Sequence, residues 1–164
     1  MTSKYGIYLL IQRTSKYLNI PAPDVFYVTK NGKPIDYMAK YDGNIDVIFI
    51  NEDWMKEAPF EFVYEACLHE IRHAYQNLCI TKNIIEDEET LKIWRHNALY
   101  YIEPNPNLSF EMNLGYIMQP LELDADAFAY FYIYQLFKID LSLMKLIEKP
   151  VLEYANKKFF SKIN

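Results

Sequence analysis

The chain has 164 residues, enough for one domain with a buried core, and 51% of them are hydrophobic, which excludes a disordered polar chain. Net charge is −5 and no basic run exceeds two residues, so the sequence carries no electrostatic footprint of a nucleic-acid binder. Aromatic residues reach 16%, with 15 Tyr and 10 Phe, which fits a core of polar-tipped rings or a general drift toward Lys, Asn, Ile and Tyr.

Ser3 to Leu18 reads as an amphipathic helix, with Ile7, Leu10, Ile11 and Leu18 at helical spacing. Asn19-Ile20-Pro21-Ala22-Pro23 ends it. Asp24 to Thr29 reads as a strand and Asn31-Gly32 as a hairpin turn. Pro34 to Tyr41 is a second expected strand, Asp42-Gly43 a second turn, and Ile45 to Ile50 a third strand rich in β-branched and aromatic residues. Together they predict a small antiparallel sheet. Pro59 suits the first position of a helix running from about Phe60 to about Ile80. There Tyr64, Leu68, Ile71, Tyr75 and Leu78 form a narrow apolar stripe.

Asn83 to Glu89 is acidic and reads as a solvated loop leading into a helix N-terminus. A helix is expected over Thr90 to Tyr101 and a loop over Glu103 to Asn107. Pro120 opens a helix to about Lys138, with Glu122, Asp124 and Asp126 in its first turns, where the helix dipole favours them. Asp140 suits the cap of a short helix and Pro150 the start of a last one. The class is α+β, a small sheet packed on a helical bundle, and residues 1–164 read as a single domain.

Cys67 and Cys79 fall on one expected helix, roughly 18 Å apart, too far for a disulfide. Unpaired thiols suggest a reducing compartment. The apolar stretch Ile7 to Ile11 is too short for a secretory signal, and Ala127 to Tyr134 is far below membrane-spanning length. A soluble, cytoplasmic protein is expected, with no membrane partner; its oligomeric state cannot be read.

The chemistry centres on His69-Glu70-Ile71-Arg72-His73. The chain has only three histidines, and two of them sit four apart on a helix, on one side of it and one turn from each other. Two imidazoles so placed can bind one Zn2+ ion, and the Glu between them can act as a base beside it. At 100° per residue, His69 and His73 point roughly opposite to the apolar stripe, toward a second element or a cleft. The opposing reading is a pair of ordinary polar positions on a half-buried face. Arg72 is expected to be exposed or to pair with Glu65 or Gln76.

A catalytic zinc usually has three protein ligands and one open position. The metzincin continuation requires Gly and His where this chain has Gln76 and Cys79, so that pattern fails. A carboxylate from a second helix remains. Glu122 and Asp126 share a face with Ala125 and Ala129, whose small side chains allow close helix approach. This makes Glu122 the candidate third ligand and Asp126 a partner for the free N–H of a ligating imidazole. The same residues also suit an acidic helix start with a small-residue packing face.

The two motifs together resemble the gluzincin pattern, His-Glu-x-x-His followed downstream by Glu-Leu-Asp-Ala-Asp-Ala-Phe-Ala. The chain is similar to the small ImmA/IrrE-type and minigluzincin metallopeptidases of phages and mobile elements, in outline over Asp24 to Tyr134. The resemblance implies a zincin-like fold in which the motif helix and the glutamate helix face each other. It implies His69, His73 and Glu122 as zinc ligands, Glu70 as general base, Asp126 as outer partner, and a protein or peptide, such as a regulatory protein, as the substrate hydrolysed at a peptide bond. The stretch between His73 and Glu122 is longer than in the compact members. Gluzincins usually add a Tyr or His that stabilises the oxyanion; Tyr116, His96, Tyr100 and Tyr101 are the candidates. Ile45 to Ile50 is a candidate edge for an extended substrate. The alternative is a non-hydrolytic module that keeps a zinc site. Such a site is normally closed by four ligands and needs no base, whereas here three ligands and Glu70 are found.

Overall fold

A computed structural model of the chain describes residues 2–31, 34–82, 86–105, 107, 113–144 and 149–162. It is α+β and divides into two compact units, Met1–Asn77 and Leu78–Asn164.

In the first unit, α1 spans Lys4–Leu18. Ser3 caps it, its Oγ accepting from Gly6 N at 3.0 Å, and Asn19 closes it in the left-handed region at φ 56°. Ile7, Leu10 and Ile11 are buried. Gly6 is required by close packing: a Cβ there would lie 2.6 Å from the Tyr64 hydroxyl.

Three strands follow: β1 (Asp24–Val28), β2 (Ala39–Asp42) and β3 (Val47–Asn51), in the order β1-β3-β2. β2 pairs antiparallel with β3, Ala39 opposite Ile50, and Asp42-Gly43 opens the hairpin between them as expected. β1, however, runs parallel to β3, Asp24 opposite Val47, so the sheet is mixed rather than antiparallel. Burial explains the order. β3 is buried at four of its five positions and needs a neighbour on each side, whereas β1 and β2 are partly exposed and suit the edges. Asn31-Gly32 therefore does not join neighbouring strands; Gly32 lies outside the described residues.

Asn51 ends β3 and caps α2 (Glu52–Glu57), its side chain accepting from Trp54 N at 3.1 Å. Glu52 pairs with Lys4 at 2.9 Å, tying α2 to α1. α3 covers Phe60–Lys82, two residues longer than expected, and the divide between the units falls within it. Its buried face is wider than the predicted stripe, adding Val63, Cys67 and Ala74. Arg72 is buried, not exposed, with its guanidinium 4.4 Å from the Tyr75 ring centre.

The second unit holds α4 (Glu88–Leu99), α5 (Leu114–Ile117), α6 (Pro120–Phe137) and α7 (Lys149–Lys158). α4 starts two residues before Thr90 because the Asp87 carboxylate caps it, accepting from Thr90 N at 2.9 Å. Asp140 caps a 3-10 turn at Leu141–Met144, accepting from Ser142 N at 3.0 Å. α6 is buried along most of its length and packs against α7. Phe128 and Phe131 meet Phe159, with ring centres 5.8 and 5.4 Å apart, so the aromatic excess builds a core here. Among the described residues, no helix is long and apolar enough to cross a membrane.

Candidate functional site

α3 presents Glu65, His69 and His73 at successive turns of one face. His69 and His73 are half-buried, and their rings meet edge to face with centres 4.6 Å apart. Their Nε2 atoms stand 2.9 Å apart. Two imidazole lone pairs at that distance repel, so one proton or one cation must lie between them. A Glu65 carboxylate oxygen lies within 4.8 Å of a His69 ring nitrogen.

His73 Nδ1 is 2.8 Å from Gln76 Oε1. With the amide oxygen presented to it, Nδ1 must donate, which leaves Nε2 of the neutral ring as the acceptor. This is the tautomer a metal ligand needs, and the buried Gln76 fixes it. Gln76 went unrecognised in the sequence, although three residues after His73 is a position on the same helical side. The donor set fits zinc. Two Zn–N bonds of about 2.05 Å at a tetrahedral angle place the nitrogens about 3.3 Å apart, so the imidazoles need open by only about 0.4 Å.

Glu70 lies one residue round the helix and is held by the sheet. Its Oε2 accepts from the backbone N–H of Tyr41 at 2.7 Å. That N–H is available because Tyr41 faces outward on β2. Asn51 N donates to Met38 O at 2.9 Å, so residues 38, 40 and 42 direct their backbone groups to β3 while 39 and 41 direct theirs away. Asn77 Nδ2 adds bonds to the Tyr41 hydroxyl at 3.3 Å and to Gly43 O at 3.4 Å, seating α3 along β2. Burial is the main reason the Tyr41 phenol is pushed up to about 12. The expected edge at Ile45 to Ile50 is corrected: β3 is paired on both sides, and the edge strand beside Glu70 is β2.

In the second unit, Glu122 is 1% exposed on the first turn of α6. Asp126 follows one turn later, half-buried, and Ala125 and Ala129 on that face are fully buried. Tyr101 donates its hydroxyl to Glu122 Oε1 at 2.6 Å, and Tyr116 hydrogen-bonds the same carboxylate. The two phenol rings stand edge to face, 6.2 Å between centres. Burial, then the nearby Glu122 charge, holds both phenols well above their ordinary value, so they remain donors. His96 and Tyr100 instead pack on each other at 4.9 Å and line an open cavity of about 680 Å³ with Lys92 and Glu89.

Asp124, between these carboxylates, has a different role. It is fully buried and its Oδ1 lies 2.9 Å from Lys158 Nζ of α7. Cys67 is also no part of the chemistry, since burial pushes its thiol far up and keeps it inert.

The structure thus brings together His69, His73 and Gln76 in one unit and Glu122, Tyr101 and Tyr116 in the other. No family model matches this chain, and searches of curated proteins and of solved structures find no match to it.

Proposed function

We propose that this protein is a zinc-dependent metallopeptidase of the gluzincin kind, acting on a protein or peptide, with His69, His73 and Glu122 holding the ion and Asp126 as outer partner. The observation that carries this reading is the convergence of the His69 and His73 Nε2 atoms at 2.9 Å, with His73 set in the ligating tautomer by Gln76.

Held by these residues, zinc would supply a Lewis acid that makes water acidic enough to attack near neutral pH and polarises a carbonyl. The chain's own residues supply the rest. Glu70 is anchored through Oε2 by the Tyr41 N–H, which leaves Oε1 to take the proton of the attacking water and hand it to the leaving amine. The outward backbone groups of Ala39 and the Tyr41 carbonyl lie on the β2 edge, beside that carboxylate. An extended peptide pairing there would run its backbone past the base.

The test combines metal content with cleavage of a defined peptide mixture read by mass spectrometry. Wild type and Glu70→Gln should each carry about one zinc per chain, and Glu122→Ala should lose it. Glu70→Gln should cleave about 10²- to 10⁴-fold more slowly than wild type, the usual contribution of a general base. Undiminished cleavage in that variant would remove Glu70 from its role, and wild type without zinc would remove the function.

A further inference from the structure

Glu122 is seated by a network that spans α4, the segment after it and the start of α6. Gln119 stands at the N-cap position of α6, its side chain making no capping bond to the helix, and is 5% exposed. Its Oε1 accepts from Ile102 N at 2.7 Å and from Asn97 Nδ2 at 3.0 Å. Its Nε2 donates to Ile102 O at 2.8 Å and to Tyr116 O at 3.1 Å. The amide therefore pairs with both backbone groups of Ile102, as a neighbouring strand would, and uses its full bonding capacity. Asn97 Oδ1 in turn accepts from Leu121 N at 3.0 Å, satisfying one of the free N–H groups of the first turn of α6. Ile102 is thereby fixed against the turn that carries Glu122. The residue before it, Tyr101, is delivered to the Glu122 carboxylate.

We propose that Tyr101 is a positioning residue for the metal ligand: held by the Gln119 clamp on Ile102, its hydroxyl fixes the rotation of the Glu122 carboxylate for zinc. This rests on the reading of Glu122 as a ligand. A fully satisfied buried amide that clamps the residue next to Tyr101 orders the Tyr101 hydroxyl on the Glu122 carboxylate more than packing requires. Partners behind a ligand typically change metal affinity by about 10- to 100-fold.

Tyr101→Phe keeps the ring against Tyr116 and removes only the hydroxyl. Gln119→Glu keeps the acceptor and removes both donated bonds. Zinc affinity is measured for each by competition with a chromophoric chelator, beside the visible spectrum of the cobalt-loaded protein and the melting temperature of the metal-free protein. Tyr101→Phe should melt close to wild type, bind zinc about 10- to 100-fold more weakly and shift the cobalt bands. Gln119→Glu should weaken zinc in the same direction. Affinity within twofold of wild type in Tyr101→Phe, with an unchanged cobalt spectrum, overturns the proposal while leaving the ligand assignment intact, provided Glu122→Ala loses zinc. Zinc affinity unaltered in Glu122→Ala, or no uptake by wild type, overturns the ligand assignment and the positioning role with it.

Discussion

Replacing Lys158 with Met should destabilise the second unit severely, for reasons of charge. Asp124 is 0% exposed and Lys158 15% exposed, and they face each other at 2.9 Å; Glu86 stands further off at 3.9 Å. The ammonium makes an ion pair with Asp124 but no well-aligned hydrogen bond, and it is enclosed by Trp94 at 4.7 Å, Tyr154 at 5.8 Å and Phe159 at 5.9 Å. At an effective dielectric of about 20, charges 2.9 Å apart attract by about 6 kcal/mol. Desolvation offsets most of that, so the pair itself adds little net stability. Removing Lys158 takes the ammonium away from a buried carboxylate that also accepts from the Tyr154 hydroxyl at 3.4 Å, and losing one member of a buried ion pair costs about 3–5 kcal/mol. Against a total of about 5–15 kcal/mol that is a large share. With a urea slope of about 2 kcal/mol per molar, Lys158→Met should lower the unfolding midpoint by about 2 M. The double variant Lys158→Met, Asp124→Leu should recover most of the loss, because neither charge is then left behind. A cost below about 1 kcal/mol for the single variant, or a double variant no better than the single, would refute this account of the pair.

Two further outcomes follow from the local geometry. Gln76→Met removes the acceptor of His73 Nδ1 and should weaken zinc binding about 10- to 100-fold in a chelator competition, because the imidazole loses its fixed tautomer. Asp87→Ala should cost about 1 kcal/mol at neutral pH in thermal melts, through loss of the α4 cap. The hydrogen bonds from Thr90 hold the Asp87 carboxyl below its ordinary value in the folded state. Its stabilisation is therefore present above the unfolded carboxylate pKa and is lost as pH falls through the folded one. The gap between wild type and variant should narrow on acidification below about pH 4, and a gap that widens would contradict the cap.

Much of the local structure was legible in the sequence because it is written in short-range chemistry. Pro59 and Pro120 mark the starts of α3 and α6, and Asp140 caps where expected, whereas Ser3, read as the first residue of its helix, is the cap before it. The strand order was not legible. Asn31-Gly32 suggested a neighbouring pair, but the choice of the apolar β3 as the central strand depends on burial across the whole first unit. α2 was missed because it is six residues long and its cap, Asn51, also ends a strand.

The candidate site divides in the same way. His69, Glu70 and His73 could be read from spacing, and so could the shared face of Glu122 and Asp126. The residues that orient them could not. Gln76 is bonded locally and could have been found, but the Tyr41 N–H reaches Glu70 across 29 residues and Tyr101 reaches Glu122 across 21. Tyr101 is one of 15 tyrosines, and no local spacing marks it as the one that donates to Glu122 at 2.6 Å. Asp124 was credited with a favourable dipole, whereas its partner is Lys158, near the other end of the unit in sequence.

The proposed function rests on zinc held by two imidazoles of α3 and one carboxylate of α6. Zinc-edge X-ray absorption on the zinc-loaded protein tests it most directly. The expected result is a nearest shell of nitrogen and oxygen at about 2.0–2.2 Å with the outer scattering of two imidazoles, and loss of that spectrum with the zinc in Glu122→Ala. Sulfur at about 2.3 Å, or a spectrum unchanged in that variant, would contradict it.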